Sequence, residues 1–344
     1  YGSTISEGLN RWMYAGISDM DYATLITSGI AADQAPLVDF DLLKIHPFQH
    51  GTMMGHHPDR FLSAADQALL DTDVGRGLGP DGFYKYVSGS LAYGHMLILG
   101  YWYVPPPARF IHYYALMQGV QSEYLTDNAS AIEYHNGAEL VPTSRALQDG
   151  SQQLGRVRVR YSRGLSVYVN HNAEEPWCVE SGGRSYELPP YGWIIEKPGE
   201  ILAYSALVGG KRVDFVRCPE YLYLNTGGAR VSEGPLEAKG AIWLKRDGMS
   251  WRLIPCGDLG QWERFPAPGL PARFSDYRPT DIPPERGCTM IALDVAALLG
   301  KAADEARVTA RDDSGQVVPA NVRPRDDGRL QFATGEGIAG YVIE

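Results

Sequence analysis

Apolar and polar positions change rhythm near residue 128. Upstream, short apolar runs alternate with longer segments whose apolar residues recur at helical spacing. Downstream, short runs alternate polar and apolar residues between Gly, Pro, Asn and Asp turns. The pattern predicts α/β followed by all-β.

In the first part, GSTIS (2–6), LVDFDLLKIHP (37–47) and SLAYGHMLIL (90–99) read as strands, with Pro47 closing the second. Between them, PDRFLSAADQALLDTDVGRG places Phe61, Leu62, Ala65, Leu69 and Leu70 at helical spacing before glycines. A long helix is predicted from Pro106, with Phe110, Tyr113, Leu116, Met117 and Val120 on its apolar face. With NRWMYAGISDMDYATLITSG, of partial helical character, after the first strand, these are three β-then-α units. A (β/α)8 barrel takes roughly 250 residues, so residues 1–127 are expected to be its carboxyl-terminal part.

Residues 128–235 are expected to form a β-sandwich. RVRVRYSRGLSVYV reads as a hairpin around Ser162, Arg163 and Gly164. Small residues dominate 225–240, which suggests a linker or exposed loop. Residues 236–344 are expected to form a second β-rich, immunoglobulin-like domain, interrupted by the helix-like DVAALLGKAADEA.

Composition narrows the function. Hydrophobic residues make up 44% of the 344, enough for packed cores, and the net charge of -10 argues against nucleic acid as a partner. The longest apolar stretch, AYGHMLILGYWYV, falls short of the roughly 20 residues that cross a bilayer, so no membrane partner is expected. Cys178, Cys218, Cys256 and Cys288 show no zinc-like spacing, and no cofactor is expected. A chain opening on Tyr1 suggests that further residues precede it.

Candidate chemistry gathers where barrel strands would end. Glu7 follows the first strand, His46 ends the second, and Tyr93 and His95 lie in the third. Lys44 alternates with His46 on one side of its strand, and Trp12 and Tyr14 follow Glu7, where aromatic faces suit the C–H face of a sugar ring. His50, His56, His57 and Asp59 lack the helix-borne spacing of a metal site, and no metal is expected there. Nucleophile-elbow, P-loop and dinucleotide motifs are missing from the sequence.

SEGLNRWMYAGISDMDYA, the DFDLLKIHP and LAYGHM runs, and VYVNHNAEEPWCV with YELPPYGWII together resemble the carboxyl-terminal half of a retaining glycoside hydrolase of the endo-α-N-acetylgalactosaminidase-like group. The resemblance covers roughly residues 1–200. It implies O-glycosyl hydrolysis of an oligo- or polysaccharide, with Glu7 as acid/base and Trp12, Lys44, His46, Tyr93 and His95 as substrate-binding residues. It also implies that the nucleophile lies outside this chain, in a companion chain or preceding segment that completes the barrel, and it favours an extracellular or periplasmic location. Asp19, Asp21, Asp39 and Asp41 are the local carboxylate alternatives. Two rival readings are a non-catalytic carbohydrate-binding or structural protein, marked by exposed aromatics among Tyr221, Tyr223, Trp243 and Trp251, and a metal-dependent hydrolase using the His50–His57 loop.

Overall fold

The computed structural model describes residues 5–7, 20–22, 35–38, 80–94, 107–256, 290–312, 314–332 and 337–344. Strand β1 (Ile5–Glu7) pairs with β2 (Met20–Tyr22) in parallel, Glu7 lying opposite Tyr22. Every other strand pairing among the described residues is antiparallel.

This overturns the expected fold class. Among the described residues no part of a (β/α)8 barrel is present, and antiparallel β-structure dominates. The clearest departure is at residues 90–92, read as the start of a strand. They form the last turn of helix α1 (Pro80–Ala92). Read from Pro80, Phe83, Tyr84, Val87 and Leu91 recur at helical spacing, with proline in the first turn where its missing N–H costs nothing. Gly94, at φ 64°, lets the chain turn away. The long helix α2 (Pro107–Leu125) forms where the periodicity places it.

Contacts divide the chain into two units, residues 1–106, 120–207 and 262–268 against 107–119, 208–261 and 269–344. The first holds β3 (Ala129–His135), β4 (Leu140–Pro142), β5 (Arg156–Tyr161), β6 (Ser166–Asn170), β7 (Trp177–Ser181), β8 (Arg184–Leu188), β9 (Trp193–Lys197) and β10 (Ile201–Val208), with the short helix α3 (Thr143–Asp149). The pairing order is β4-β3-β5-β6-β9-β10-β8-β7. The hairpin expected around Ser162 is β5–β6. Alternation buries Val157, Val159, Val167 and Val169, while Trp193, Ile194 and Ile195 are buried in succession, as in a strand covered on both faces. The Asp127 carboxylate accepts from the Ser162 hydroxyl and from the Arg163 and Asn128 amides, fastening the entry to β3 onto the β5–β6 turn. Tyr134 and Gln152 secure residues 35–38 by hydrogen bonds to the backbone of Ala35, Pro36 and Val38.

The second unit holds β11 (Lys211–Arg217), β12 (Tyr221–Glu233), β13 (Leu236–Asp247), β14 (Ser250–Cys256), β15 (Met290–Leu293), α4 (Val295–Leu299), β16 (Val308–Arg311), β17 (Val317–Val318), β18 (Val322–Pro324), β19 (Leu330–Phe332) and β20 (Gly340–Ile343). Residues 225–240, read as a linker, belong to the β12–β13 hairpin, and the expected boundary at 235/236 falls at its tip. The glycines that suggested a loop serve a bend: the register shifts between Asn225 and Arg230, where Gly227 and Gly228 adopt positive φ. Beyond the bend, β13 changes partner. Ala241–Asp247 pair with β14, whereas Leu236–Lys239 pair with β15, which continues through β19 to β18.

Tyr221 inserts its hydroxyl into the ladder of α2, donating to Ala115 O at 2.6 Å and accepting from Gly119 N at 3.0 Å. A Cβ at Gly119 would lie 2.9 Å from the Tyr221 ring. Gly119→Ala is therefore expected to lose about 1–3 kcal/mol through overpacking, despite the better helix propensity of alanine. Thermal melting of the variant checks this.

Candidate active site

Because β1 and β2 run in parallel, the register brings Glu7 and Tyr22 together at the carboxyl ends of both strands, with Ser6 beside Asp21 one step earlier. Parallel strands cannot be joined by a tight turn, and twelve residues (8–19) separate these two. Glu7 is the last residue of its strand rather than the residue after it. Asp21, a candidate second carboxylate, lies within β2. Trp12, Lys44, His46 and His95 lie outside the described residues, as do Asp19, Asp39, Asp41 and the whole His50–His57 loop.

Tyr93 is described, and it is buried at the end of α1. Its phenol oxygen accepts from Leu37 N at 3.0 Å. Burial pushes the phenol well above its ordinary range, only partly offset by that hydrogen bond, so it stays protonated.

Other chemistry-bearing groups of the first unit meet near Ser88, whose Oγ lies 2.7 Å from Nδ1 of His171, a nucleophile-to-base distance. Ser88 also donates to Lys85 O at 3.0 Å, one helical turn earlier. The Lys85 carbonyl thus competes with the ring for the serine's single proton. Both residues are buried, and the pair is a structural link between α1 and β6's end. Tyr191, which packs edge-on against His171, is the one non-glycine with positive φ among the described residues.

In the second unit His112 of α2 is fully enclosed. Its Nδ1 lies 2.8 Å from Tyr223 Oη and its Nε2 3.3 Å from Asp214 Oδ2, to which Asn225 donates at 3.2 Å. Burial holds the imidazole down to about 4, against the pull of Asp214, so it is neutral at pH 7. With 0% and 1% exposure for His112 and Asp214, substrate cannot reach this pair.

Among the described residues no group of three metal-ligating side chains occurs. Of the four aromatics that a carbohydrate-binding platform would expose, Tyr221, Tyr223 and Trp243 are buried, with Trp243 packed edge-on against Tyr221, while Trp251 is half-buried. Reading the sequence missed two features. One is the Glu7–Tyr22 register, which no pattern encodes. The other is a set of arginines around Glu237, whose alternation in ARVSEGPLEAKG and VRPRDDGRLQ is visible once both segments are treated as strands. Comparison of the chain with family models, curated proteins and solved structures gives no match.

Proposed function

We propose that the protein is a glycoside hydrolase acting on an oligo- or polysaccharide, with Glu7 as general acid/base. The observation that supports this best is the parallel pairing of β1 with β2. It puts Glu7 at the carboxyl end of a strand with a parallel neighbour, the end at which α/β sheets gather reacting groups. Glycosidic cleavage needs a proton donor at the leaving oxygen and a second carboxylate that attacks the anomeric carbon or activates water. In this reading the second carboxylate comes from a companion chain or a preceding segment. Trp12, Lys44, His46 and His95 contact the sugar. Tyr93, whose phenol accepts from Leu37 N, is left with a structural role. The rival binding-platform reading keeps one of its four aromatics, Trp251, since Tyr221, Tyr223 and Trp243 are buried.

The test compares substrates that differ in their need for a proton. In the full-length natural protein, Glu7→Gln is expected to slow hydrolysis of an unactivated glycan by about a hundredfold or more. An aryl glycoside with a good leaving group should lose far less, since that bond breaks without protonation. Unchanged turnover in the variant, or equal loss on both substrates, overturns the assignment.

A further inference from the structure

In the first unit, residues 136–139 connect β3 to β4, and they open with Asn136–Gly137, the one Asn-Gly pair in the sequence. Asn136 N donates to Glu139 O at 2.9 Å and closes the turn. Gly137 is exposed at φ 102°, and nothing lies within 4 Å of where a Cβ would stand. Its backbone nitrogen is therefore open to close approach by the asparagine side chain before it.

Two sets of contacts prepare this turn for chemistry. Asn136 Oδ1 accepts from Ala138 N at 3.0 Å and from Glu139 N at 2.9 Å, a pair of amides that would stabilise negative charge developing on that oxygen. The Gly137 N–H donates to Nδ1 of His135 at 3.2 Å, so the ring presents an unprotonated nitrogen to the amide that would attack. Of the elements beside the ring, β5 brings Arg156, which also binds Glu175 at 2.9 Å; β7 brings Trp177, with ring centroids 5.5 Å apart; β4 brings Leu140 opposite it. Burial, and then the Arg156 charge, hold the imidazole below its ordinary value, so near pH 7 it is neutral. Asn172 supplies a contrast in the same unit. Its Oδ1 likewise accepts two amides, Glu174 N and Glu175 N, each at 2.8 Å. Yet Ala173 follows it, and its Nδ2, the atom that would have to leave, donates to Leu154 O at 3.2 Å.

We propose that Asn136 is a self-modification site, at which His135 acts as the base that converts the asparagine to aspartate and isoaspartate. His135 Nδ1 takes the Gly137 amide proton as the nitrogen bonds to Asn136 Cγ, and the charge arriving on Oδ1 rests between the Ala138 and Glu139 amides. Collapse breaks the Cγ–Nδ2 bond. The nitrogen departs as ammonia, carrying the proton that His135 returns, and a five-membered succinimide remains. Water then opens the ring. Attack at Cγ releases Gly137 N from the side chain and gives aspartate; attack at the backbone carbonyl leaves the chain running through Cγ as isoaspartate. The only co-reactant is water. Either product adds a carboxylate to a chain of net charge -10, and isoaspartate lengthens the backbone of the turn by one methylene. The site lies on β3–β4 and does not depend on the Glu7 reading.

The experiment incubates the full protein at neutral pH and physiological temperature. Peptides covering Asn136 and Asn172 are followed by mass spectrometry for conversion of amide to acid, with fragmentation separating isoaspartate from aspartate. Asn136 is expected to convert at least about tenfold faster than Asn172. Since Gly137 alone could produce that difference, the deciding variant is His135→Phe, which keeps a ring against Trp177 and removes the base. It should slow conversion by about tenfold. The pH profile of the wild type needs no substitution: its rate should level off between about pH 7 and 8, above the titration of the imidazole, while that of the variant climbs with hydroxide. Comparable rates at Asn136 and Asn172, a His135→Phe variant as fast as wild type, or a wild-type rate that follows hydroxide throughout overturns the proposal.

Discussion

Replacing Glu237 with alanine is expected to lower stability by about 3–5 kcal/mol, read as a drop in the denaturant midpoint, because it strips the common acceptor from Arg230, Arg325 and Arg329 at once. Three guanidinium groups would then face one another, with Asp327 paired to Arg325 alone among the described residues. The single arginine variants should behave differently. Arg325→Gln removes one donor from a carboxylate that keeps two others, and its cost is expected to be about 1–2 kcal/mol. Glu237 is also held below the ordinary carboxylate range: burial raises it, but the hydrogen bonds and charges of Arg230 and Arg325 more than offset that. A depressed carboxylate contributes stability that is complete above its unfolded value and disappears as pH falls through the folded one. The wild type should thus lose this contribution only below pH about 4.5, and Glu237→Ala should be insensitive to that step.

The same segment shows what the sequence could and could not reveal. Strand and turn identity was legible wherever period-2 alternation was dense, as in β5 and β6, because each residue reports its own face. It failed at 225–240, where small residues and glycines that permit a bend look like those of a loop. It failed again at Ser90–Ala92, since a short apolar run does not distinguish a buried helical turn from a strand until the residues before it are included. The barrel expectation came from stringing such runs together. Pairing direction is a property of partners far apart in sequence, and no local pattern carries it. Glu7 was singled out for its strand end, which was legible; its parallel neighbour Tyr22 was not. The arginines around Glu237 lie on β12 and in the β18–β19 turn, up to ninety-nine residues apart from Arg230 to Arg329, so only the register could assemble them.

Acidification should reveal the second buried network before it reaches the first. The imidazole of His112, held at about 4 by burial, stays neutral in the fold while its unfolded counterpart, near 6.5, takes a proton. Between those values the unfolded state binds more protons, so stability falls as pH falls. The full loss is about 3 kcal/mol by pH 4, with no further cost below it. Burial keeps the ring neutral, and Asp214, 3.3 Å from Nε2, only partly offsets it. His135, lowered by burial and by Arg156, adds to the same window but is only partly buried and contributes less. The discriminating variant is His112→Gln. It should be less stable than wild type at pH 7.5 by about 1–3 kcal/mol, because Tyr223 and Asp214 lose their shared partner inside the core. It should also show a markedly flatter dependence of unfolding free energy between pH 6.5 and 4.5, a range above the Glu237 step. A variant that keeps the wild-type slope would place the acid sensitivity elsewhere.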